Sequence, residues 1–397
     1  MIVSVRAIPA LPMLVLAAWS CGIAYAESGE VSVRTTELNE LSGQLSSFSR
    51  ADGLRLMPFG GPSDVTIPAD HVVRIVRKDV SSKRSDPDDV YVELSGGDRL
   101  FGVPVDWPPD AVTFQCAFGQ LTVPISRLKL WVEPKAKRDI KPVWLTPGTH
   151  DDILFLANSD QLHGYVMEFG PQHVVIEVEG REIRIKRELI QAARIHPLDG
   201  QEKAIRFRLA FADGSILTSP QIDWQDSMLT VIGPDQKKEK VDVAFLHSVS
   251  VEGGRWVWLT DLDPISEHQK SMMSAEWRMR KKENVLGHPL ATAGQRFENG
   301  IGVHSESALI YDLKADYQAF VTQYGLDDSC GSYADVDVEI LVDGQHRYRR
   351  DHVISGELHG PLRIDLAGAD RIELRVRFGR NGDIQDRFNW IEAALIR

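Results

Sequence analysis

The sequence predicts an all-β protein: a tandem series of small β-barrels followed by one larger β-sandwich. Three observations carry this. Apolar and polar residues alternate over short runs cut by glycine and polar turns, a block of about 45 residues recurs, and beyond residue 264 the recurrence stops while the strands lengthen. The 397 residues are 43% apolar and 26% charged, an ordinary globular balance that argues against wholesale disorder. The net charge of −12 is spread along the chain with no basic stripe, which disfavours nucleic acid or an anionic membrane as a partner.

The first element is a targeting segment. Arg6 precedes the apolar run IPALPMLVLAAW (8–19), too short to span a bilayer, and AYA at Ala24–Ala26 has the small-x-small form of a cleavage site. The expectation is a signal peptide over 1–26, cleaved after Ala26, and a secreted or periplasmic protein. A lipoprotein reading through Cys21 is disfavoured by Trp19, which stands where a small residue belongs. No later stretch is apolar for long enough to span a membrane. Cys116 and Cys330 then remain, too far apart to form a disulfide framework, so folding rests on apolar cores.

The repeat comes next. The segments 88–132 and 151–195 both open on an acidic pair and an apolar strand. They continue through D-R-L-F-G (98–102) and D-Q-L-H-G (160–164) and close on an I/V-x-x-x-x-L/I step. Gly102 to Leu128 and Gly164 to Ile190 are both 26 residues apart. A third copy lies at 204–251 and a degraded one at 31–77, the copies recurring about every 54–62 residues. Five short strands in ~45 residues suit a small barrel, and the cadence resembles SH3-like or Sm-like units. The predicted units are 27–80, 86–135, 148–198 and 202–254. Cores this small are marginal alone, so neighbouring units are expected to pack in pairs, with EPKAKRDIKP (133–142) as a hinge. His150, Asp151 and Asp152 read as a polar strand lead-in, since the same acidic pair recurs at 88–89 without a histidine. His163 and His173 have no partner at ligand spacing.

After GGRWVWLTDLDP (253–264) the segment 266–285 reads as a polar connector carrying a short helix. Regular strands follow at 308–313, 336–344, 361–366, 371–378 and 389–396. In the fourth, Ile372, Leu374, Val376 and Phe378 face one way and Arg371, Glu373, Arg375 and Arg377 the other. Antiparallel strands with one wet face describe a β-sandwich over 255–397.

FENGIGVHSESALIYDLKADYQAFVTQYGLDDS (297–329), then VEILVDG and DRFNWIEAAL (386–395), resembles the NPCBM family of carbohydrate-binding modules. The likeness covers about 255–397, and exported β-rich repeats before such a domain also resemble secreted planctomycete-type proteins. It implies a galactose-binding-like jelly roll and, for some members, binding of galactose-containing glycans and a structural calcium ion. By motif, Gly300, Gly302 and His304 match a G-x-G-x-H turn, Asp327 and Asp328 the paired acids, and Asn389-Trp390 the closing pair. Cys330 and Gly331 depart from the longer polar loop usual after the acids, and Asn389 stands where Asp is common, so ligand preference does not transfer.

A sugar site needs planar hydrogen-bonding groups and an aromatic face. RFGRNGDIQDRFNW (377–390) is the densest such cluster, and the candidate ligand contacts are Arg377, Arg380, Asp386, Asn389, Trp390 and His304. Trp390 also opens a strand that must seal the sandwich, which favours a core position, and His304 has no metal or acid–base partner nearby. Asp327 and Asp328 are the candidate calcium ligands; two side chains are few for that ion, and an Asx-type turn explains them equally well. The sequence carries no nucleophile elbow, P-loop or HExxH, and no segment long enough for a glycosidase barrel. The reading is a non-catalytic exported protein that binds glycan, with other exported proteins as further partners through the barrels. A purely structural or protein-interaction protein, or less readily a carbohydrate-active enzyme, are the alternatives.

Overall fold

Alternation at period two becomes antiparallel ladder throughout. The computed structural model describes residues 29–61, 63–80, 85–137, 141, 144, 151–196, 205–225, 227–272 and 276–397. The expected signal peptide, His150 and part of the 133–142 hinge therefore lie outside the described residues.

Unit I comprises β1 (Glu30–Thr35), β2 (Glu40–Ser49), β3 (Gly53–Pro58), β4 (Val65–Ile67) and β5 (Val72–Arg77). Unit II comprises β6 (Val90–Leu94), β7 (Arg99–Asp106), β8 (Ala111–Cys116), β9 (Gly119–Pro124) and β10 (Leu128–Val132). Unit III comprises β11 (Asp152–Leu156), β12 (Gln161–Phe169), β13 (His173–Val178), β14 (Arg181–Lys186) and β15 (Ile190–Arg194). Unit IV comprises β16 (Arg206–Phe211), β17 (Ile216–Ser219), β18 (Ile222–Gln225), β19 (Met228–Ile232), β20 (Lys238–Asp242) and β21 (Leu246–Glu252). In every unit the first strand pairs with both the second and the last, and a 3-10 turn precedes the last strand. That turn is the I/V-x-x-x-x-L/I step. The copy at 31–77, degraded in sequence, has the full strand set.

Gly43, Gly102 and Gly164 occupy one position, opposite Val31, Val90 and Asp152 of their first strands. A Cβ on Gly43 or Gly164 would fall 2.2 or 2.0 Å from the carbonyl oxygen of the third strand, and on Gly102 2.9 Å away. Only glycine lets the second strand curl there. Unit IV has Ser219 at this position, and its long strand breaks at Pro220 into β17 and β18 instead. Asp152 accepts the amides of Val166 and His196 at 2.7 Å each, the lead-in role read from sequence.

The units join differently from the expected neighbour pairing. Units II and III do pair, through β10 and β15. Unit I pairs with unit IV, β5 lying along β21 and β2 along β18. One apolar core runs through all four units, with Phe48 against Phe207 between units I and IV and Phe118 against Phe211 between II and IV. Sharing a core removes the marginality of ~45-residue units.

The C-terminal part is a two-sheet sandwich, all-β as predicted. One sheet runs β24 (Arg280–Lys281), β27 (Gly300–His304), β34 (Arg387–Ile396), β29 (Ala319–Leu326), β32 (His359–Asp365), with β22 (Trp256–Trp258) also on β34. The other runs β23 (Ser266–Gln269), β28 (Ser307–Asp312), β33 (Arg371–Phe378), β30 (Asp335–Val342), β31 (Gln345–Ile354). A hairpin of β25 (Leu290–Thr292) and β26 (Gln295–Phe297) caps one side. Val336, Val338, Ile340, Ile372, Leu374 and Val376 are buried between the sheets, as the alternation requires. The segment 266–285 holds two short strands and, among its described residues, no helix: β23 follows the sheet edge, pairing with β28. Among the described residues no helix is long and apolar enough to cross a membrane. Cys116 and Cys330 are free thiols.

Candidate functional site

The G-I-G-V-H motif lies inside β27, not in a turn. Gly302 is opposite Asn389 of β34, and a Cβ on it would sit 2.5 Å from the backbone of Glu283, Asn284 and Val285. Gly302 therefore lets a second backbone segment cross the strand. That crossing delivers Asn284, 2% exposed, to Asp327.

Asp327 accepts hydrogen bonds from Asn284 Nδ2 (3.1 Å), Asn389 Nδ2 (2.9 Å), the Ser329 amide (3.0 Å) and the Ser329 hydroxyl (2.6 Å). Burial pushes its carboxyl upward, but the bonds from Ser329, Asn389 and Asn284 outweigh it and hold it below the usual aspartate range. Asp328 turns the other way, exposed, onto the Gly294 amide at 3.0 Å. The two acids do not converge, and Asp327 is surrounded by donors, so this donor set does not fit the expected calcium ion. It fits a carboxylate that ties three loops together.

Four of the six candidate ligand contacts are interior. Trp390 and Asn389 are fully buried, in the core and in the Asp327 network respectively. Asp386, also fully buried, accepts the Ser305 hydroxyl at 2.6 Å and the Asp335 amide at 3.2 Å. Burial, reinforced by the carboxylates of Asp335 and Asp383, pushes its carboxyl up to about 7 against the pull of those two hydrogen bonds. His304 is buried, stacks on Trp277 at 4.8 Å and shares a 2.9 Å bond with the Ser305 carbonyl; burial pushes its imidazole below the usual range. As placed, none of these four touches solvent enough to meet a ligand; they support the surface above them.

Arg377 and Arg380 are exposed but separate. Arg377 lies on the outer sheet face with Glu306 at 3.6 Å. Arg380 is on the rim, a cluster of loops formed by residues 271–272, 276–277, 329–334 and 379–386. Its Nε donates to His352 Nε2 at 3.1 Å, and His352 Nδ1 is 3.2 Å from Asp335. Because Nε2 accepts from Arg380, Nδ1 carries the proton and donates to Asp335. Asp337 takes the His352 amide at 3.0 Å, and the ligand atoms of Asp335, Asp337 and His352 lie within 4.8 Å of one another. The adjoining guanidinium makes this group an orienting chain for Arg380. Beside it Asn381 donates to the Tyr333 carbonyl at 2.9 Å, and Tyr333 itself is 67% exposed. Asp383 closes the rim by accepting the Met272 amide at 2.8 Å.

Tyr333, His352, Asp335 and Trp277 are the residues that sequence reasoning missed. They come from separate loops and strands, and only the exposed Tyr in a Gly-Ser-Tyr turn was a usable signal.

Residues 255–396 match the NPCBM/NEW2 domain family, so the C-terminal third of the chain is an NPCBM domain, a carbohydrate-binding module. Among solved structures, one similar to this chain is the CBM51 module of Clostridium perfringens GH95 in complex with methyl-galactose. It is 20% identical, with TM-score 0.31, over 35% of this chain and 99% of that one. The CBM51-2 and INT domains of Clostridium perfringens ZmpB, in complex with GlcNAc, are 21% identical, with TM-score 0.33, over 46% of this chain and 44% of that one. The tandem CBM51 modules of a Streptococcus pneumoniae family 98 glycoside hydrolase are 12% identical, with TM-score 0.32, over 62% and 87%. No curated protein matches the chain.

Proposed function

We propose that this is an exported, non-catalytic protein that binds a glycan through the loop rim of its C-terminal domain, the four units serving as spacer or protein-docking platform. The observation that carries the reading is the family match across 255–396. The rim supports it chemically. Arg380, oriented by His352, and Asn381 offer planar donors for vicinal hydroxyls, and Tyr333 offers an exposed ring for the C–H face of a sugar.

A glycan array with the full chain tests it, with galactose- and GlcNAc-terminated glycans as the first probes. Binding that is lost in Tyr333→Ala and Arg380→Ala is expected. No bound glycan, or binding indifferent to both changes, favours the structural reading.

A further inference from the structure

Where units I, II and IV meet the sandwich lies a cleft of about 490 Å³. One wall is a continuous sheet formed by β16, β21, β5 and β1. Its registers place Arg208 opposite Ser250, Ser250 opposite Arg74, and Arg74 opposite Arg34. Three arginines and a serine thus form one row across four hydrogen-bonded strands on a single face. Arg99 from unit II and Lys282 from the sandwich line the same space.

Like charges opposite one another on a sheet are destabilising unless something neutralises them. Some neutralisation is built in: Arg34 is paired with Glu392, and Arg74 with the 76% exposed Glu298 at 3.5 Å. Glu252 is engaged by Arg206 at 3.6 Å, leaving Asp261 as the remaining acid of the lining. Arg99 spends its Nε on the Gly214 carbonyl at 3.0 Å. The Arg74 Nε–H is buried and has no hydrogen-bond partner among the described residues, although the rest of its side chain is partly exposed. A donor left so costs free energy that an acceptor entering the cleft recovers. Trp258 forms part of the lining, and the volume falls in the range of small-ligand sites.

We propose that this cleft is a second binding site, one that takes an oxyanion-bearing saccharide with its carboxylate or sulfate on the Arg74–Arg208 row and its ring against Trp258. That the oxyanion is carried by a sugar rests on the glycan-binding reading of the chain; that the row takes an oxyanion does not. In an acidic protein such a row discriminates against neutral sugars, so the two sites divide the recognition of a polymer bearing both kinds of residue.

The test titrates the full chain by calorimetry with glucuronate, galactose 6-sulfate, inorganic sulfate and neutral galactose, at low and high salt. Saturable binding of at least one acidic sugar is expected, weakened by salt, at least tenfold weaker in Arg74→Gln and Arg208→Gln, and unchanged in Tyr333→Ala. Preference for glucuronate or for galactose 6-sulfate supports the proposal and identifies the oxyanion. Inorganic sulfate bound on the same arginines, without either sugar, overturns the saccharide half only. Absence of saturable binding by every oxyanion, or binding unaltered in both arginine variants, overturns the site. Arg208→Gln keeps this decisive should Arg74→Gln disturb the Glu298 contact. Loss of rim binding in Tyr333→Ala is a separate result, so the two readings fail independently.

Discussion

Asp386 and Asp327 are both buried carboxylates of one rim, and their environments push them in opposite directions. Asp327 has four donors and stays charged; replacing it with Ala would take from Asn284 and Ser329 the acceptor they share and from Asn389 the shortest of its three contacts. Asp327→Ala is expected to cost about 3 kcal/mol in denaturant unfolding of the C-terminal domain, and loss under ~1 kcal/mol would show the network to be incidental. Asp386 holds its proton in the folded state up to about 7 but releases it near 3.8 when unfolded. Its contribution is therefore full below ~4 and lost as pH rises through 7. Relative to Asp386→Asn, the parent chain should lose about 3 kcal/mol of stability between pH 4 and 7, read from paired unfolding curves. A constant difference across that window would mean the group is ionised throughout. At this scale the sequence was half legible. Trp390 in the core follows from strand alternation, but the burial of Asn389 and Asp386 depends on Asn284 and Ser305, which lie about 80 to 105 residues earlier.

At the scale of elements, the repeated glycine and the 3-10 step are sequence-visible because each meets a local backbone need. Gly164→Ala would force a Cβ to within 2.0 Å of the Glu177 carbonyl, a backbone atom that cannot step aside. A loss of about 2–3 kcal/mol in the thermal stability of units II and III is expected, and a neutral outcome would remove the curl argument. The clasp between those units is less visible. Arg187 stacks on Trp131 at 4.4 Å and Trp107 at 4.8 Å while its Nε donates to Glu133 at 2.7 Å. Arg187→Ala should cost about 2 kcal/mol, and Arg187→Lys should restore little of it, since an ammonium lacks the planar face. Full rescue by lysine would show a simple charge contact. Residues 266–269 illustrate the opposite failure: the polar run SEHQ has no apolar signature because β23 is a sheet edge whose ladder is made by backbone alone.

Across the whole molecule, the order in sequence is not the order in space. Units I and IV are joined by the β5–β21 ladder and the β2–β18 ladder, closing the array back on itself. Nothing local encodes this, since each strand presents only its own alternation and the partner is fixed by which edges remain free. The sandwich is then seated on unit I, where Val73 packs with Trp256, Val321 and Ile396. The family likeness was readable from ordered motifs alone, because G-I-G-x-H and Asn389-Trp390 mark strands β27 and β34 that pair directly. The rim was not, because its exposed members are scattered over loops that only the sandwich brings together. The most direct test of the central claim is titration of the full chain with the strongest array-selected glycan, in parallel with Tyr333→Ala and Arg380→Ala. Saturable binding reduced at least tenfold in both variants, with thermal stability unchanged, is the predicted result; equal affinity in parent and variants, or no glycan bound at all, would contradict it.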